Sequence, residues 1–181
     1  HWRPDHSALE LATGWVGAGG IPESVARVLA TCEPYAGCEL VEGVFEREVA
    51  LPTKGWASQT DLLALVRLRD GLGVIAVEGK AREPFGPRVS EWNDGPGKQA
   101  RLDDLCARLG LDASAVGHLR YQLLHRTVSA LLEAERYGAR EALMLVHSFD
   151  PADSSLDDYR AFAGDLGLTD ADVGRITSAV E

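Results

Sequence analysis

The stretch that decides the fold runs Leu62-Leu-Ala-Leu-Val-Arg-Leu68, then Arg69-Asp-Gly-Leu-Gly73, then Val74-Ile-Ala-Val-Glu-Gly-Lys80. The first segment is almost continuously apolar, as a strand buried on both faces must be. Asp70-Gly-Leu-Gly73 has turn composition. The third segment is apolar to Val77, and we extend that strand through Ala81. Two strands so closely linked form an antiparallel hairpin.

Upstream, Phe45, Arg47, Val49 and Leu51 alternate with Glu46, Glu48 and Ala50, which predicts a first strand over 45–51. Cys32 to Gly43 and Pro52 to Thr60 read as loops. Before them, Ser7 and Glu10 stand at capping-box spacing and open a short helix. Pro22-Glu23 starts a second one, with Val25, Val28 and Leu29 as its apolar stripe. Downstream, Pro84 to Gly97 is a loop. Lys98 to Leu109 is a helix stopped by Gly110, His118 to Tyr137 is a longer one stopped by Gly138, and Glu141 to Phe149 is a strand. Ser154 or Ser155 caps a helix reaching Leu166, and Thr169 caps a last one. The order predicts an α/β fold whose mixed sheet carries a central antiparallel hairpin flanked by helices. The long helical connection before the fourth strand is what a parallel crossover requires. A length of 181 residues suits a single domain over 1–181. Its core is expected over 21–150, with a C-terminal helical appendage over 151–181.

Composition narrows the function classes. Hydrophobic residues make up 45% of the chain, which excludes a disordered protein, and three cysteines are too few for a disulfide scaffold. Cys32, Cys38 and Cys106 are expected as reduced thiols packed as small hydrophobes. The absence of a signal-like segment near His1 and of a membrane-length apolar run predicts a cytoplasmic chain with no membrane partner. The formal net charge of −10 argues against tight electrostatic binding of long nucleic acid. That charge is unevenly spread. Residues 1–79 carry −5, residues 80–126 carry +2 and residues 127–181 carry −7. A local basic cleft on an acidic body can still hold a phosphodiester.

The residues with chemistry in them cluster on the hairpin. Glu78 and Lys80 are two apart on one strand and so share a face. A turn centred on Gly71-Leu72 sets Asp61 opposite Arg82, so that Asp61, Glu78, Lys80 and Arg82 all project from one side. Carboxylate oxygens suit Mg²⁺ or Mn²⁺, and the backbone carbonyl of Gly79 is a further candidate ligand. A lysine beside such an ion orients a water or neutralises charge on a phosphate. In that register Asp61 lies roughly 13 Å from Glu78 along the sheet. A shared metal therefore requires the strands to splay or bulge, or Asp61 to stand in the loop.

Asp61 at a strand start followed by Glu78-Gly79-Lys80 on the hairpin partner resembles the PD-(D/E)xK nuclease superfamily, also called restriction-endonuclease-like. The order helix, three strands, helix, strand over 21–150 is similar to the αβββαβ core of that superfamily. Val77-Glu-Gly-Lys-Ala-Arg-Glu-Pro-Phe-Gly86 and Leu119-Arg-Tyr-Gln-Leu-Leu-His-Arg-Thr127 look like an uncharacterised bacterial branch. The resemblance implies Asp61 and Glu78 as metal ligands and Lys80 as the catalytic lysine. Thr60, not Pro, precedes Asp61, and Arg126 stands four after Gln122 where some exonuclease branches carry Tyr, so the exonuclease subclass stays open.

On the long helix Gln122, Arg126, Ser129 and Glu133 form one polar stripe. It is either a solvated face or one from which Gln122 and Arg126 reach the active site. His125 reads as a partly buried structural histidine rather than a general base, and Glu46 as a solvated strand residue rather than a ligand. Trp56 and Trp92 are loop anchors or base-stacking residues. The expectation is a Mg²⁺-dependent (or Mn²⁺-dependent) DNA endonuclease with catalytic Asp61, Glu78, Lys80, Gln122 and Arg126. A homodimer would suit cutting of both strands. The alternatives are a non-catalytic module of the same fold that binds a protein, with Asp61, Glu78 and Lys80 as an ion network, and a two-carboxylate glycosidase, which has no need of Lys80.

Overall fold

Burial of the strand Gly71–Lys80 organises the molecule: in the computed structural model, which describes residues 7–152 and 154–177, every residue from Gly73 to Lys80 is shielded from solvent. The chain runs through helices α1 (Ser7–Gly17) and α2 (Glu23–Leu29), then strands β1 (Glu39–Val49), β2 (Ser58–Leu68) and β3 (Gly71–Lys80). Helices α3 (Val89–Trp92), α4 (Pro96–Leu109) and α5 (Tyr121–Tyr137) follow, then β4 (Glu141–Ser148) and α6 (Leu156–Asp165). The strands form one sheet in the order β1-β2-β3-β4. The first three are antiparallel neighbours, and β4 lies parallel to β3. This is a mixed α/β fold with a four-stranded mixed sheet flanked by helices.

Alternate residues of β3 feed two different cores. Ile75 and Val77 pack with Leu62, Ala64 and Val66 of β2 beneath Leu11, Trp15, Val25 and Leu29 of α1 and α2. Val74 and Ala76 pack with Leu63 of β2 against Ala130 and Ala134 of α5. Small residues there let α5 approach the sheet closely. Behind α5, its residues Leu123, Leu124 and Val128 join Leu102 and Leu105 of α4, Val89 of α3 and Phe162 of α6 in a third cluster. α6 therefore packs on the same core that α4 and α5 share. Gly138 ends α5 with φ 61°, a left-handed conformation that glycine adopts without strain.

The hairpin turn is Arg69-Asp70, two residues earlier than turn composition predicts. Gly71 and Gly73 are strand residues instead. A Cβ on Gly73 would come within 3.1 Å of Leu68 and 3.2 Å of Val66, so a larger residue would push those two side chains aside. The observed pairs run from Leu68–Gly71 to Leu62–Val77. Continued by one step, that register sets Asp61 opposite Glu78, not opposite Arg82. Arg82 itself lies exposed beyond the strand.

Other boundaries differ for local reasons. β1 begins at Glu39, inside the expected loop, because residues 39–44 pair with β2 although a register shift between Leu40 and Glu42 spoils their alternation. β2 begins at Ser58, so only 52–57 remain as loop. The loop 84–97 holds the single turn of α3 and the start of α4 at Pro96, and α5 begins at Tyr121 after a 3-10 turn at Val116–His118. The helix expected after Thr169 is not formed. Residues 167–177 are turns and loop, Gly174 having φ 81°, and the last four residues lie outside the described structure. Cys32, Cys38 and Cys106 are free thiols, the last fully buried. Among the described residues, no helix is long and apolar enough to cross a membrane.

Candidate active site

The sheet changes character at one cross-strand position. Phe45 and Leu62 are partners and both pack in the cluster under α1 and α2, whereas the next pair, Arg47 and Thr60, lies on the α5 side, where Arg47 reaches Glu133 at 2.9 Å. Strict alternation would keep Phe45 and Arg47 on one face. The swap occurs at Glu46, which has φ 54°, a strained value for a residue with a Cβ. Asp61 stands across from Glu46 in that register, at the point where β2 also changes sides and stops pairing with β3.

Because β2 leaves β3 there, the N–H of Gly79 has no strand partner on that side. The Asp61 carboxylate supplies one, with Oδ2 accepting from Gly79 N at 2.9 Å. Asp61 thus reaches the Glu78 segment through a splay of the strands, and the roughly 13 Å separation does not arise. Gly79 also gives α1 room. A Cβ on it would stand 3.3 Å from both the Cβ and the carbonyl oxygen of Ser7, so the start of α1 would have to move back by a few tenths of an ångström. Burial, and then the nearby Glu78 carboxylate, push the Asp61 pKa up to about 6.

Glu78 points to the α5 side, where α5 runs antiparallel to β3 and offers its first two turns. Glu78 is 2% exposed, and its carboxylate is nearly enclosed by donors. Lys80 Nζ donates to Oε1 at 2.8 Å, Gln122 Nε2 donates to Oε1 at 2.6 Å, and Arg126 Nε donates to Oε2 at 2.6 Å. Three of its roughly four lone-pair directions are taken. Lys80 is itself buried, its ammonium 5.1 Å from the centre of the Phe85 ring. The structure therefore brings together Asp61, Glu78, Lys80, Gln122 and Arg126 and leaves Arg82 outside. The polar stripe of α5 is not a solvated face: Arg126, Ser129 and Glu133 are all buried.

Ser58 is the member of this network that sequence reasoning missed, because it was assigned to a loop. Arg126 Nη1 donates to Ser58 Oγ at 2.9 Å, and Ser58 Oγ lies 2.8 Å from His125 Nδ1. The two lone pairs of Ser58 Oγ allow it to accept from Arg126 and either donate to Nδ1 or accept from it. Burial, and then Arg126, push the His125 pKa down to about 3, so the ring is neutral at pH 7. His125 is separated from the Glu78 carboxylate by Ser58 and Arg126 and serves as a structural partner. Glu46 is half-buried and accepts from Gln59 Nε2 at 2.6 Å, outside the cluster.

The oxygens of Asp61 and Glu78 are hard donors of the kind Mg²⁺ and Mn²⁺ prefer. Asp61 has one protein donor among the described residues, and the repulsion that raises its pKa is what a cation would relieve. Glu78 keeps one open lone-pair direction. The donor set fits one divalent ion with few protein ligands, the arrangement usual for Mg²⁺. Among the described residues, no group of three or more His, Cys, Asp or Glu side chains is placed to hold a metal. Four cavities of about 420 to 550 Å³ lie among the described residues at other places on the surface, one of them lined by Ser58 and His125.

Residues 1–181 match the family described as Domain of unknown function (DUF6946), and the chain belongs to it. No curated protein and no solved structure matches the chain.

Proposed function

We propose that this member of the DUF6946 family is a Mg²⁺-dependent or Mn²⁺-dependent phosphodiesterase that cleaves DNA internally, built on a restriction-endonuclease-like core. One observation carries the reading. The Asp61 carboxylate accepts from the backbone N–H of Gly79, and the neighbours of Gly79 on either side are Glu78 and Lys80, whose ammonium donates to the Glu78 carboxylate. The resemblance of Asp61 and Glu78-Gly79-Lys80 to the PD-(D/E)xK superfamily supports the same reading.

Asp61 and Glu78 would hold the ion, whose chemistry there is to polarise a phosphate and acidify a bound water. Lys80, released from Glu78 Oε1, can donate to a non-bridging phosphate oxygen and offset the charge developing on it. Gln122 and Arg126 fix the Glu78 rotamer, and Ser58 fixes Arg126. Asp61 must be ionised to act as a ligand, and burial holds its pKa in the metal-free site up at about 6, so protons compete with the ion and the metal concentration needed for cleavage should rise as pH drops below about 6.

A second reading rests on the enclosure of Glu78 by Lys80, Gln122 and Arg126 at 2% exposure. In that reading the cluster is a buried ion network of a non-catalytic, protein-binding module. Incubation of single- and double-stranded DNA and RNA with Mg²⁺, Mn²⁺ or chelator separates the two. The nuclease reading expects metal-dependent cleavage that falls at least ~100-fold in Lys80→Ala. Absence of cleavage by the wild type with either metal, together with no Mn²⁺ binding by calorimetry, would overturn it in favour of the ion network.

A further inference from the structure

Trp56 is 91% exposed, an unusual position for the side chain with the largest apolar area. Its loop is nevertheless rigidly tied. Arg101 of α4 is only 8% exposed and donates to Thr53 Oγ1 at 3.2 Å, to the Thr53 carbonyl at 3.3 Å and to the Trp56 carbonyl at 2.8 Å. Gly55, with φ 137°, lets the chain pass the guanidinium, since a Cβ there would lie 2.6 Å from Arg101. The backbone of Trp56 is thus fixed while its indole is left unpacked.

The indole borders a cleft of about 460 Å³. On another wall Trp92 stacks on Tyr121, with ring centres 3.6 Å apart and planes 11° apart. Lys98 stands 5.5 Å from the Trp92 ring centre, and Lys54 also lines the cleft. Ser58 and His125 line it too. His125 commits Nδ1 to Ser58, so the ring nitrogen it has left to offer is Nε2. From there a continuous chain runs through Ser58 and Arg126 to Glu78.

We propose that this cleft binds one unpaired nucleobase of a polynucleotide strand, stacked on Trp56 and hydrogen-bonded by His125, with Lys54 and Lys98 beside its phosphates. The proposal deepens the nuclease reading and rests on it for the link between base and scissile phosphate. The wall chemistry selects this occupant. Lys54, Lys98 and Arg101 outnumber Asp94, while the chain as a whole carries −10, so the cleft is a cationic spot on an acidic body. A free indole face together with flanking cations is the usual recognition of unstacked bases and their backbone. A duplex offers no free base face, so the substrate is a single strand or a locally opened one.

The test is titration of the full chain with a single-stranded oligothymidylate and with a matched duplex, in EDTA, followed by the anisotropy of a fluorescein label on the nucleic acid for every variant and by tryptophan emission for the wild type. Wild type should bind the single strand with quenched emission and lose affinity steeply with salt. Trp56→Ala should weaken binding about tenfold or more, Trp56→Phe should retain most of it, and both should melt as wild type does, since the indole is unpacked. The duplex should bind at least tenfold more weakly than the single strand. Equal affinity for wild type and Trp56→Ala, equal affinity for single strand and duplex, or no salt-sensitive binding would each overturn the proposal. Because EDTA removes cleavage from the measurement, binding through Trp56 without any metal-dependent cleavage would retain the cleft and sink the nuclease. Cleavage with no effect of Trp56→Ala on affinity would do the reverse.

Discussion

The two halves of β3 are equally buried and chemically opposite. Val74, Ile75, Ala76 and Val77 are at most 1% exposed and apolar, whereas Glu78 and Lys80 are 2% and 4% exposed and carry full charges. The apolar half has a strand on each side, β2 and β4. The polar half has β4 alone, because β2 turns away at Asp61. Burial of the first half is favourable in itself, at ~25 cal/mol per Å² of apolar surface. Burial of the second is tolerable only because each charge has partners. Chemistry collects where the sheet opens, since side chains there must supply the hydrogen bonds that a neighbouring strand supplies elsewhere.

The largest effect should come from removing one of those partners. Arg126→Met deletes a donor from Glu78 and another from Ser58 while keeping volume. It should cost ~3–5 kcal/mol, because it leaves a buried carboxylate undercompensated. Urea unfolding measures it. Adding Glu78→Gln to Arg126→Met should recover much of the loss, as the charge itself is then gone. A cost below ~1 kcal/mol for Arg126→Met would mean that Lys80 and Gln122 alone hold Glu78, and that the polar half is no more fragile than the apolar one.

The apolar half was legible in sequence, and the polar half was legible only as residue types. Leu62–Leu68 and Val74–Val77 announce themselves by hydropathy, and the distance from β3 to β4 requires the parallel crossover that is observed. Register was not legible. Asp70, Gly71 and Gly73 look like a turn, but the two glycines are strand residues, Gly71 with φ 129° and Gly73 close against Leu68 and Val66, and that error displaced Asp61 from Glu78. The change of sides at Glu46 and Asp61 breaks the alternation on which face assignments rest. Ser58 and Arg126 lie 68 positions apart, and no local pattern marks them as partners. Gln122 and Arg126 were found because helical spacing alone puts them on one face, although it could not say whether that face was wet.

A smaller, pH-dependent effect sharpens the contrast. Asp61 has its pKa raised to about 6 by burial and by Glu78, so the folded state holds a proton that the unfolded chain has released. Stability contributed at this position is therefore lost as pH rises from about 4 through about 6, and the penalty is complete above that. Asp61→Asn keeps an acceptor for Gly79 N and removes the charge. In chelator it should stabilise the protein by ~1–2 kcal/mol at pH 7.5 and leave it unchanged at pH 4. Mn²⁺ should raise the melting temperature of the wild type and not that of Asp61→Asn. A stabilisation independent of pH would show that Asp61 and Glu78 are not electrostatically crowded, removing the reason to place an ion between them.

The smallest effect belongs to the apolar half and calibrates the other two. Ile75 is fully buried beneath α1 and α2, three residues from Glu78 and on the opposite face of the strand. Ile75→Val removes one methylene and should cost ~1 kcal/mol. That cost should be the same at pH 4 and pH 7.5 and the same with Mn²⁺ or chelator, because the titratable members of its cluster, Tyr35, Cys32 and Cys38, are pushed up by burial and stay protonated over that range. The comparison of slopes is what matters. If Ile75→Val showed the pH and metal dependence expected of Asp61→Asn, those responses would belong to the sheet as a whole. If it is flat while Asp61→Asn is not, the coupling stops within three residues of one strand, and the carboxylate pair titrates as a local device set into an inert scaffold.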